Sequence, residues 1–70
     1  MAGMIVKTGR GSFGRTESKD ARINGKVVVY VLEHELGEKY RSDMKLRLKD
    51  GKPVKLLVAP EQLNIIGFWD

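Results

Sequence analysis

The run Val27-Val-Val-Tyr-Val-Leu32 constrains this chain more than any other stretch. Its six consecutive apolar residues are mostly β-branched or aromatic, the types that suit a pleated, half-buried surface. The run is too short to bury itself as a helix, and nothing in it has helical spacing. Asn24-Gly25 precedes it and Gly37 lies just past it. An apolar run bounded by turn signals reads as a strand covered on both faces. Residues 26–33 are therefore expected to form the central strand of a small β protein.

That strand has little chain to cover it. The 70 residues read as one domain, 1–70. A domain of this size buries only about 60% of the surface its unfolded chain exposes. Its core supplies no more than roughly 3–5 kcal/mol net without a staple. There is no cysteine and only one histidine, so neither a disulfide framework nor a thiolate- or histidine-rich metal site is available. No cofactor is expected. Stability has to come from packing or from a partner. The absence of cysteine fits a reducing, cytoplasmic setting. No apolar segment approaches the ~18–20 residues that span a bilayer, and the N-terminus lacks the apolar region of a signal peptide. Met1-Ala-Gly ahead of Met4 reads as a cloning remnant, with Met4 the natural start.

In chain order, residues 4–8 are a strand candidate that ends in Gly9-Arg-Gly-Ser-Phe-Gly-Arg15, a permissive glycine-rich turn. Residues 16–21 are polar and read as loop or exposed hairpin. Asn24-Gly25 is a tight turn that tolerates positive φ. Residues 33–39 read as loop. Residues 44–49, Met-Lys-Leu-Arg-Leu-Lys, alternate strictly between apolar and basic, the mark of a strand with one buried face. Asp50-Gly51 is a turn, and residues 53–58 are the next strand. A two-residue loop would set Leu46 against Lys55, mixing apolar and charged side chains on each face. A three-residue loop, 49–51, with Gly51 as a bulge sets Leu46 against Val54 and Lys45 against Lys55. The sequence favours the second register. Pro60 opens one short 3₁₀ or helical turn. Residues 63–69 are the last strand, with Gly67 marking a bend or a close backbone approach.

This order of elements resembles the SH3-like barrel: five short strands, a long loop after the first, a short hairpin between the third and fourth, and a single turn before the fifth. The resemblance is architectural and rests on no residue motif. It implies an all-β fold, either a small five-stranded SH3-like barrel or a strongly bent antiparallel sheet. The five-stranded oligonucleotide-binding barrel is the next choice, but Asp50-Gly51 leaves no room for the helix that it carries between its third and fourth strands.

Two motifs carry less than they suggest. Gly9-Arg-Gly-Ser-Phe-Gly14 has the spacing G-x-G-x-x-G and looks like the glycine-rich loop of protein kinases. No kinase catalytic motif accompanies it, and residues 15–20 lack the apolar face of a following helix. It reads as a turn-rich loop in which Phe13, between Arg10 and Arg15, could stack on a base. His34-Glu-Leu-Gly-Glu38 looks like the zinc-peptidase H-E-x-x-H, but lacks the second histidine. His34 reads as an exposed loop residue.

Charge is more informative. The net charge of +4 is unevenly placed: residues 1–32 carry six basic and two acidic side chains, and residues 44–58 carry five basic and one acidic. The segments 33–43 and 59–70 are each net −2. Lys45, Arg47, Lys49, Lys52 and Lys55 form the densest set. They are either a solvated face that blocks edge-to-edge aggregation or a surface for an anionic partner such as a phosphate backbone. No nucleophile–base pair is visible, so no enzyme is expected. The leading expectation is a non-catalytic module that binds DNA or RNA with little sequence preference. Its site would comprise Arg10, Phe13, Arg15, Lys45, Arg47, Lys52 and Lys55. The alternative is a protein-interaction or accessory subunit that pairs with a protein partner or itself. Neither reading involves a membrane.

Overall fold

A computed structural model describes residues 2–18, 22–33 and 44–69. The strands are β1 (Gly3–Thr8), β2 (Phe13–Arg15), β3 (Arg22–Ile23), β4 (Lys26–Val31), β5 (Leu48–Lys49), β6 (Lys52–Pro53), β7 (Lys55–Val58) and β8 (Leu63–Trp69). A 3₁₀ turn, Pro60–Gln62, joins the last two. Among the described residues every strand pairing is antiparallel, and none of them is in an α-helix. The all-β expectation holds.

The central strand is the one the apolar run marks. One edge of β4 pairs with β7, from Val27↔Val58 to Tyr30↔Lys55. Along its other edge lie first β3 and then β2. The sheet continues through β1 to β8, giving the path β7-β4-β2-β1-β8. Four interstrand steps of about 4.8 Å separate its ends in a flat sheet. Only four residues, Ala59 to Gln62, connect those ends, and three of them are wound at about 2 Å per residue. The sheet therefore bends strongly to bring β7 and β8 near each other. Among the described residues, β7 and β8 do not pair, so no closed barrel forms.

Bending lets both faces of β1 and β4 be buried. One face carries Met4, Val6, Val27 and Val29, with Val58 and Leu63 against them. The other carries Ile5 and Leu32, flanked by Phe13, Met44, Leu46, Ile66 and Trp69. The bulge falls in β8: Ile5 faces Gly67 but Val6 faces Ile65, leaving Ile66 as the extra residue. The irregularity expected at Gly67 thus lies one residue earlier.

Two turns place both central residues at positive φ. They are Asn24-Gly25 (52° and 78°) and Asp50-Gly51 (53° and 77°). Each is a two-residue hairpin loop of the kind whose twist suits paired strands. The second overturns the expected register. Lys49 faces Lys52 and Leu48 faces Pro53, so the loop has two residues, not three. Lys45 does not face Lys55, which lies opposite Tyr30 on β4. Nor does Leu46 face Val54; it bridges to Leu32. A three-residue loop would suit residues 44–49 only if they paired with 53–58 throughout. Instead residues 45–47 lie antiparallel alongside the end of β4: Glu33 N–H donates to Lys45 O (2.8 Å), and Arg47 N–H to Val31 O (2.9 Å). Only the exposed ribbon β5–β6 keeps the hairpin register, and there a mixed face buries nothing.

Residues 2 and 3 pack against the last strand. Ala2 N–H donates to Trp69 O (2.8 Å), and Gly3 is buried opposite Trp69. A Cβ at Gly3 would overlap the Thr16 carbonyl oxygen. Thr16, expected in a polar loop, is fully buried. Its Oγ1 accepts from Met4 N–H (2.9 Å) and donates to Ser18 O (2.7 Å), while its carbonyl takes the Trp69 Nε1–H (2.9 Å). No helix of the described residues is long and apolar enough to cross a membrane.

Candidate nucleic-acid interface

The glycine-rich stretch is a β-hairpin turn. Thr8 N–H donates to Ser12 O and Gly11 N–H to Thr8 O, each at 2.9 Å, and Gly11 takes φ 87°. Ser12 N–H reaches the Thr8 hydroxyl at 3.2 Å. The backbone donors of residues 8, 11 and 12 thus serve the turn itself. Gly14 is needed for a different reason. A Cβ there would overlap Val29 Cγ1 and lie 2.9 Å from Tyr30 O. The spacing G-x-G-x-x-G therefore meets the needs of a turn and a close strand crossing. Arg10 projects from the turn, exposed.

A three-way backbone junction fixes the second arginine. Arg47 N–H donates to Val31 O, Val31 N–H to Val54 O (2.9 Å) and Val54 N–H to Arg47 O (3.0 Å). The two arms of the hairpin around Asp50-Gly51 meet the distant end of β4 there. Because Leu46 turns toward Leu32 and the second cluster, Arg47 points to the other side of the sheet.

On that side lies a groove of about 600 Å³. Apolar Val31, Val54, Leu56 and Val58 line it together with the cations Arg10, Arg47 and Lys26 and the polar Thr8, Ser12 and Gln62. Among the described residues, no carboxylate lines it. Leu56 remains 37% exposed although it sits opposite buried Val29. Among the described residues, Arg10, Arg47 and Lys26 have no ion-pair partner. A second hollow, of about 550 Å³, shares Arg10 with the first and is also lined by Lys7, Asn64 and Glu61.

The seven residues singled out from sequence do not form one surface. Arg10 and Arg47 come together on the groove. Phe13, Arg15 and Lys55 lie on the opposite face of the sheet, as their pairing with Lys7, Ile5 and Tyr30 requires. Phe13 is half-buried in the second cluster, with the Lys7 ammonium 5.5 Å from its ring centre. Arg15 stacks on Trp69 at 4.8 Å and approaches Glu17 at 3.6 Å. Lys45 approaches Glu33 at 3.7 Å, an exposed pair of the kind that contributes about 0–1 kcal/mol. Lys52 stands on the exposed ribbon across from Lys49.

Sequence reasoning missed Lys26 and the apolar lining. Lys26 is the residue that opens the apolar run, and its neighbours gave no hint of which edge it serves. Leu56 looked like an inward-facing core residue. It is inward-facing, but the bent sheet leaves a gap above it. The motif beginning at His34 lies outside the described residues, and no cluster of metal-binding side chains occurs among those described. No family model, curated protein or solved structure matches the chain.

Proposed function

We propose that this protein is a non-catalytic module that binds nucleic acid with little regard to sequence. The observation that carries the reading is the groove between the Gly9–Ser12 turn and β7. Three cations from separate segments, Arg10, Lys26 and Arg47, line it, and among the described residues no carboxylate does. Unpaired cations beside a concave low-dielectric wall raise the local concentration of anions. Arginine also offers a planar donor fork that matches phosphate oxygens. The same proposal takes the sheet as an SH3-like barrel. Its support is the strong bend and the 3₁₀ turn between the two end strands.

The test is a salt titration with a mixed-sequence oligonucleotide. Each phosphate contact contributes about −0.7 to −0.9 to the slope of log affinity against log salt. Three contacts give a slope of about −2 to −3. Arg10→Glu and Arg47→Glu should each flatten it by one such step, and Lys55→Glu, on the other face, should not. An affinity that does not change with salt, or that responds equally to all three reversals, rejects the groove as the interface.

A second reading, self-association, has one observation in its favour. The outermost strand β8 carries no charged residue from Leu63 to Trp69, and Ile65 and Phe68 are exposed along it. Light scattering across a concentration series tests it: a mass independent of concentration and equal to one chain excludes it.

A further inference from the structure

We infer that the groove receives an unstacked base, so that the preferred ligand is a single strand rather than a duplex. This inference rests on the nucleic-acid reading above and narrows it. A purely electrostatic site needs cations and no apolar surface. Here Val31, Val54, Leu56 and Val58 line the same groove as Arg10 and Arg47, and this lining is open because Leu56 keeps over a third of its surface accessible. A duplex offers such a surface only sugar C–H groups and thymine methyls, because its base faces are stacked on one another. An unpaired nucleotide carries both complements on one unit, an apolar base face and, a few ångströms away, an anionic phosphate. The groove's volume of about 600 Å³ lies within the range of roughly 300–1,000 Å³ that holds one small ligand. That is room for one nucleotide, not for the width of a double helix.

Among the described residues, the lining holds no aromatic platform, the usual partner of a base face. Valine and leucine can still cover the face of any of the four bases. They give weak, unselective burial, in keeping with a module that does not read sequence. Residues from both sides of the site are fixed by backbone hydrogen bonds: Arg10 by the Thr8–Ser12 turn, Arg47 by its junction with Val31 and Val54. The backbone that carries both arginines is thus held in place.

The experiment is fluorescence anisotropy at low salt with four labelled probes of equal length. They are a mixed-sequence DNA strand, the RNA strand of the same sequence, the DNA duplex, and a DNA strand with abasic sites throughout. The intact single strands should bind at least tenfold more tightly than the duplex and the abasic strand. Leu56→Ser should bring the intact strands down to the abasic level and leave the abasic strand unchanged. Circular dichroism checks that this half-exposed position tolerates the change, and the abasic comparison in the unmodified protein needs no variant. Equal affinity for intact and abasic strands overturns the inference and leaves a phosphate-only interface standing. Binding of none of the four probes removes both the inference and the reading beneath it.

Discussion

Gly14 sits where β2 passes closest to β4, and the missing side chain is what lets the two strands pair. A Cβ there would overlap Val29 Cγ1 and press on the Tyr30 carbonyl oxygen. Val29 is fully buried and has no room to turn aside. Gly14→Ala should therefore cost about 1–3 kcal/mol, the usual range for overpacking, read as a lower urea midpoint. Gly11→Ala is the contrast: its neighbourhood is open, and its cost comes only from φ 87°. If the two substitutions have equal effect, close packing is not what Gly14 provides. The sequence showed three glycines but not that each has a different reason. It also showed Arg10 and Arg15 as equals around Phe13. Arg15 is on a strand, stacked on Trp69 and next to Glu17, whereas Arg10 is on the turn between strands. Position within the hairpin separates them, and one-residue differences in where a strand begins are not written in composition.

At the scale of elements, the Asp50-Gly51 turn decides how the basic residues are displayed. Both residues lie in the left-handed region, which costs an ordinary L-residue roughly 1–2 kcal/mol and asparagine or aspartate less. Asp50→Val should destabilise by about that amount, and Asp50→Asn should stay within about 0.5 kcal/mol, both measured by denaturant titration. Equal stability of the two variants would mean that the ribbon is not formed in solution. Much of the element pattern was legible before the structure. The strand Leu63–Trp69, the turn at Pro60 and the Asn24-Gly25 turn coincide with what apolar runs and turn residues announce. Residues 44–49 depart from their expected pairing for a definite reason. Alternation states that one face is buried, and Leu46 is indeed directed at the second cluster. It does not state which strand lies alongside. The nearest candidate in sequence was β7, but the partner is the end of β4, through Leu32. Arg47 consequently reaches the groove, and Lys55 stays on the opposite face.

For the whole molecule, the question is whether two small clusters on opposite faces of one sheet behave as one core. Met4, Val6, Val27 and Val29 form one, and Ile5 and Leu32 the other. Neither has a disulfide or described metal site to fall back on. Both, however, draw on β1 and on the run from Val27 to Leu32: successive residues of β1, Met4 to Val6, point alternately into one and the other. Unpairing β1 to empty one cluster strips the other of its backbone. Melting should therefore be a single transition, as is usual for small single domains. Trp69, the only tryptophan, packs on the second cluster and reports it by fluorescence, while far-ultraviolet circular dichroism reports the sheet as a whole. Val6→Ala removes two carbons from the first cluster and should cost about 2 kcal/mol, from transfer and a residual cavity together. Its discriminating effect is on the distant probe: the Trp69 transition should move by the same amount as the dichroism transition. A Trp69 midpoint that stays in place while the dichroism midpoint falls would reveal two cores unfolding separately, and the bent sheet would then be two stabilising units rather than one.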